Sequence, residues 1–175
     1  MRIPSAIITG LALALTLSAC GSDGDSDSSN APLRPPPKVA TLGPFVGECG
    51  HVTDQEVRDI AGLSQLARVN RNSVGCNFQS AGLASPSVTF ASYRGSPIDR
   101  EKAWVSNVGR NPETIDVGGR KGFQALDPSG SVCDLAVQLD DDFFEWSMSY
   151  GLFSEQGNPC DRTRKLAELT VQRLQ

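Results

Sequence analysis

The chain has 175 residues, 39% of them hydrophobic, with 16 basic and 20 acidic side chains and a net charge of −4. This size and balance suit one globular domain. The two signs are interspersed, with no basic stripe and no aromatic–basic interleaving, which argues against nucleic acid as a partner and against a polybasic face laid on anionic lipid. One histidine and five cysteines, with no C-x-x-C spacing, give no basis for a metal centre, a redox motif or any cofactor.

The first residues carry an address. Arg2 is followed by an uncharged apolar run containing Ile7, Ile8, Leu11, Leu13, Leu15 and Leu17, and the run closes on Leu17-Ser18-Ala19-Cys20-Gly21. A short apolar stretch ending in small residues reads as a signal peptide over 1–19. Cysteine at this point makes a lipobox, which predicts cleavage before Cys20 and a lipid on its sulfur. The alternative is plain secretion with cleavage near Ala19. After Cys20 come Asp23, Asp25 and Asp27 among serines, then Pro32 and Pro35-Pro36-Pro37. Such a segment has too little apolar surface to offset the entropy of ordering. Residues 20–38 are therefore expected to be a lipidated, disordered tether, able to hold a domain up to about 50 Å from the bilayer at full extension.

The folded part is expected over 39–175. Its four cysteines, Cys49, Cys76, Cys133 and Cys160, are even in number, as exported disulfide-bonded domains require. The favoured pairing is local, Cys49–Cys76 and Cys133–Cys160. The alternative, Cys49–Cys160 with Cys76–Cys133, would join the two halves.

Thr53-Asp54-Gln55-Glu56 is a capping box. It opens a short helix over 54–61, with Val52 and Val57 as a hydrophobic staple and Gly62 as the left-handed stop. Residues 63–69 read either as an edge strand or as more helix, and Asn70-Arg71-Asn72 as a turn. Val74, Cys76 and Phe78 alternate with polar neighbours, predicting a half-buried strand, and 88–93 a second. Ser96-Pro97-Ile98-Asp99 is expected to start a helix with Ser96 as cap and Pro97 at the first position. That helix runs to about Val108, with Trp104 and Val108 facing the core together. Strands are predicted over 114–117 and 122–126 around Gly118-Gly119, and over 131–139 and 143–150 around Asp140-Asp141-Asp142. In the last of these, Phe144, Trp146, Met148 and Tyr150 share one face, against Glu145, Ser147 and Ser149 on the other. Asn158-Pro159-Cys160-Asp161 starts a final helix with Leu166, Ala167, Thr170 and Leu174 along one stripe. The expected fold is α+β: a single domain, an antiparallel sheet with helices packed mainly on one face, and two disulfides.

Lipobox, Ser/Asp/Pro tail, Cys49 ahead of a Thr-capped helix, Gly75-Cys76-Asn77-Phe78, Cys133 in a strand and a Cys160-led last helix together resemble the uncharacterised lipoproteins of mycobacteria and related actinobacteria, the LprB- and LprC-type lipoproteins. The resemblance spans nearly the whole chain. It implies a cell-envelope location and a domain of unknown function, and it carries over no catalytic residue.

Five groups could carry chemistry, and each has a plainer reading. His51 could be a general base, but no nucleophile is placed to partner it; it reads as part of a helix-start segment. Asp140 to Asp142 could hold calcium, but lack the spaced ligands of a calcium loop and read as a solvated hairpin turn. Gly118 to Gly122 could cradle phosphate, but lack the strand-to-helix setting. Glu145 with Asp140 could be a glycosidase carboxylate pair, against Glu145 lying on the polar side of its strand. Trp104, Phe144 and Trp146 could line a lipid pocket, or simply fill the core. The chain therefore reads as a lipid-anchored cell-envelope protein on the outer face of the membrane, non-enzymatic, acting as an accessory or protein-binding module. The alternative is a carrier for a lipid or other apolar envelope ligand. The expected partners are the cytoplasmic membrane, through the anchor, and an envelope protein or apolar ligand that the sequence does not specify.

Overall fold

The computed structural model describes residues 38–82, 84–152 and 157–174. The expected signal peptide, Cys20 and the expected tether lie outside the described residues. Seven strands form one fully antiparallel sheet: β1 Leu66–Asn72, β2 Gly75–Ser80, β3 Ser87–Tyr93, β4 Asn111–Val117, β5 Arg120–Leu126, β6 Val132–Leu139 and β7 Asp142–Ser149. Their spatial order is β1-β2-β3-β7-β6-β5-β4, so two meanders meet where β3 pairs with β7. Three helices accompany the sheet: α1 Asp54–Ala61, α2 Ile98–Asn107 and α3 Pro159–Gln172. None of the described helices is long and apolar enough to cross a membrane.

The α+β expectation holds, including the placement of the helices mainly on one face. Alternation along β7 divides that strand's side chains. Phe144, Trp146 and Met148 point into the main core with Phe78 and Phe90, under α1 and α3. Phe143 points to the other side, where α2 packs over β4, β5 and β6 and closes a smaller core of Val105, Phe123, Ala125, Ala136 and Phe143.

Local signals act as read at α1. The Thr53 hydroxyl accepts from the Glu56 amide, Glu56 returns to the Thr53 amide, and Gly62 is left-handed at φ 67°. Asn158 caps α3 by accepting from the Cys160 amide, with Pro159 at the first helical position. The β4–β5 hairpin turns at Gly118 and Gly119, with φ of 59° and 82°. Two consecutive positive φ angles are what a two-residue hairpin of this hand requires.

Four expectations are corrected. Residues 70–72 are not a turn but the end of β1, an edge strand that begins in the ambiguous 63–69 segment; the turn lies at residues 73–74. β4 begins at Asn111 rather than at Thr114 and takes in Pro112, a proline tolerated there because β4 is the other edge. Pro97, not Ser96, is the N-cap of α2, with no side-chain cap bond. Trp104 and Val108 do not face the core: they are 59% and 45% exposed, whereas Val105 is 1% exposed. Successive helical residues are separated by about 100°, so anchoring Val105 inward turns its neighbour Trp104 out.

The disulfides take the local pairing. Cys49–Cys76 (Cα–Cα 5.4 Å) ties the segment before α1 to β2, and Cys133–Cys160 (Cα–Cα 5.2 Å) ties β6 to the start of α3.

Candidate functional site

Antiparallel partners share a sheet face, so the register defines what each side presents. On the side of α2, one row runs Asn70–Asn77–Thr89–Ser147–Asp134. A second runs Arg68–Gln79–Ser87–Ser149. A third runs Asn72–Gly75–Ala91–Glu145–Ala136. Because α2 packs over β4, β5 and β6, the part of these rows on β1, β2 and β3 stays partly or fully exposed. It is an array of amides and hydroxyls, with Asn77 Nδ2 donating to Thr89 Oγ1 at 3.0 Å.

The boundary between this open half and the covered half carries the charge. Asp134 is 3% exposed; it is ion-paired with Arg110 and accepts from Ser147 Oγ at 2.6 Å. Glu145 lies beside α2. Burial first, and then the charge of Glu101 on α2, push its carboxyl from 4.5 to about 7, while Arg110 opposes the shift. Glu145 Oε2 is shielded from solvent without a hydrogen-bond partner. Tyr93 stacks on Phe143 with ring centroids 4.3 Å apart. Burial, then Glu145 and Glu101, raise the Tyr93 phenol to about 12. Glu145 therefore sits on the side of β7 that the alternation assigns, but in the shadow of α2 rather than in open water. Its electrostatic neighbours are Glu101 and Arg110, not Asp140.

The other candidates serve the architecture. His51 is exposed and ends a turn, Glu48–His51, in which Cys49, Gly50 and His51 all have positive φ. Its ring Nε2 lies 3.4 Å from the Phe45 carbonyl, and its own carbonyl accepts from Arg173 Nη1 at 2.7 Å. Arg173 also grips both carboxylate oxygens of Glu56. That contact, with the Thr53 hydrogen bonds, lowers Glu56 to about 2. Asp140 to Asp142 do form the β6–β7 hairpin, but Asp142 is not solvated. It is 2% exposed and accepts from the Gly95 amide at 2.6 Å and the Gly43 amide at 2.9 Å. Arg94 pairs with it at 2.9 Å. Asp141 takes Lys38 and the Thr41 amide, each at 2.7 Å. These carboxylates tie three distant segments together, a role that spacing alone could not reveal. No group of three potential metal ligands occurs among the described residues.

Trp146 and Phe144 are fully buried. The rings of Phe78 and Phe90 lie 6.5 and 5.0 Å from that of Trp146, and the indole donates to Thr170 Oγ1 at 3.0 Å. Two surface grooves of about 370 and 300 Å3 flank the first turn of α2. Both touch Ile98, Asp99 and Gln138, with Lys38 on one side and Lys102 and Lys121 on the other.

A chain from Mycobacterium tuberculosis (strain ATCC 25618 / H37Rv), named as an inferred lipoprotein, LprB, is 33% identical over 97% of this chain and 95% of its own length. The LprB of Mycobacterium bovis (strain ATCC BAA-935 / AF2122/97) matches equally. That of Mycobacterium leprae (strain TN) is 34% identical over 74% of this chain and 71% of its own. Residues 15–173 match the family described as protein of unknown function, DUF3558. With that match and these relatives, the chain belongs to the DUF3558 family, together with the mycobacterial LprB proteins.

Proposed function

We propose that this protein is a lipoprotein of the cell envelope, anchored through Cys20 on the outer face of the cytoplasmic membrane, and that it acts by binding rather than by turnover. The observation that carries the choice between a surface-binding module and a lipid carrier is the filling of the main core. A carrier needs a concave, largely apolar pocket of several hundred Å3. Here the side of the sheet richest in aromatics is occupied by its own side chains, with Phe78, Phe90, Phe144 and Trp146 each at most 1% exposed. The two grooves beside α2 lie at the surface next to lysines and acids. The surface that fits a binding role is the amide and hydroxyl array presented by β1 to β3 and bordered by α2. Asp141, Asp142 and Asp134 are engaged in hydrogen bonds and ion pairs within the domain, which fits a structural use of these carboxylates.

In-cell cross-linking of the membrane-held protein tests the proposal. Wild type is expected to give a discrete protein adduct, and Thr89→Arg with Gln79→Arg to lose it while fractionating with membranes as before. Adducts unaffected by this change would remove the open face from the account. A stoichiometric lipid retained by the purified domain in native mass spectrometry would favour the carrier instead.

A further inference from the structure

Three large apolar side chains stand out within seven residues at the start of the domain: Val39, Leu42 and Phe45, exposed by 88%, 55% and 68%. Their backbone is not loose. Leu42 forms a bridge with Asp140, and Thr41 exchanges hydrogen bonds with Asp141 through its carbonyl and amide. Gly43 donates to Asp142 and accepts from Arg94 at 3.1 Å. The segment is thus fastened along the β6–β7 hairpin by its main chain while its apolar side chains project away from the domain. Apolar residues grouped in this way mark an interaction surface more often than scattered ones do.

The position in the chain says what covers it. We infer that Val39, Leu42 and Phe45 form a membrane-docking edge that inserts into the interface of the bilayer holding the protein; this rests on the anchor at Cys20 proposed above. The chain between Cys20 and Lys38 is short even when fully extended. The domain is therefore confined near the bilayer at high effective concentration, where weak insertion suffices. Charge favours apolar insertion over attraction to anionic headgroups. Lys38 is paired with Asp141 and Arg94 with Asp142, which leaves Asp140 exposed at the same hairpin. Docking here sets the orientation of the domain, with the β6–β7 hairpin toward the lipid.

The test uses the full lipidated protein, reconstituted in phosphatidylcholine vesicles. Flotation reports the anchor. A Phe45→Trp change in a Trp104→Phe background, and separately Leu42→Trp in that background, reports the docking edge, because the remaining indole of Trp146 is buried in the core. With brominated phosphatidylcholine, emission of each introduced indole is expected to fall by about half, as for a side chain about 5–10 Å into the interface, and to stay quenched at high salt. Protein that does not float overturns the anchor and this edge with it. Flotation without quenching at either position overturns the docking edge alone. So does quenching of Trp104 in wild type with both introduced indoles unquenched, which would place α2 at the lipid. Quenching abolished by salt would replace apolar insertion by charge attraction and equally overturn the proposal.

Discussion

Glu145 is the residue whose ionisation couples most directly to the fold. Its carboxyl rises from 4.5 to about 7 because burial beside α2 and the charge of Glu101 disfavour the anion more than Arg110 favours it. Between these two pH values the folded protein retains a proton that the unfolded chain releases. Stability therefore falls as pH rises from about 4.5 to 7, by about 3 kcal/mol in total, and this contribution is level above that window. Denaturant midpoints measured from pH 5 to 8 should decline for wild type and lose most of that decline in Glu145→Gln, which cannot ionise. Parallel slopes would show that Glu145 titrates normally. Glu56 works in the opposite sense. Held near 2 by Arg173 and Thr53, it contributes stability present above its ordinary value, and that contribution is lost as pH falls from 4.5 toward 2. Nearby, Cys49 and His51 hold the left-handed backbone that non-glycine residues adopt only at a cost. The Cys49–Cys76 bond and the Arg173 contact to the His51 carbonyl fasten that turn at both ends.

Elements whose signals are local were legible. Thr53 and Glu56 state the start of α1 within four residues, Asn158-Pro159 does the same for α3, and the period of two along β7 separates the two cores. What escaped depends on partners distant in sequence. β1 has only Leu66 and Val69 to pack against the core, too few inward residues for its period to show. Asp142 reads as a turn residue until the Gly43 and Gly95 amides and Arg94 are brought to it. α2 misleads because its largest apolar side chain is on the outside. It is fastened instead by Val105 and, more weakly, Ile98 against Phe123, Phe143 and Tyr93. This assignment separates two substitutions. Val105→Ala should cost about 2 kcal/mol by opening the smaller core, and Trp104→Ala less than about 0.5 kcal/mol, as at an exposed site. Equilibrium unfolding measures both, and a larger loss at Trp104 would mean that the helix is turned the other way. The candidate binding face was legible only in part. Ser147 and Ser149 were placed on the polar side of their strand, whereas their alignment with Asn70, Asn77 and Thr89 needed the β3–β7 pairing, which joins strands far apart in the chain.

For the whole molecule, the residues from Lys38 onward form one compact unit in which two disulfides, a filled main core and paired carboxylates support a rigid sheet. Among its described residues the exposed features are surfaces: the polar array over β1 to β3, the outer side of α2, and the apolar edge at Val39, Leu42 and Phe45. Their roles in the account depend on where the protein is held. The measurement that decides this is peptide mass spectrometry of the mature protein extracted from membranes, with the Cys20→Ala variant alongside. The expected result is a mature N-terminus at Cys20 carrying acyl mass, with release of the variant from membranes and its domain still folded. An unmodified soluble protein, or a mature N-terminus at another residue, would contradict it.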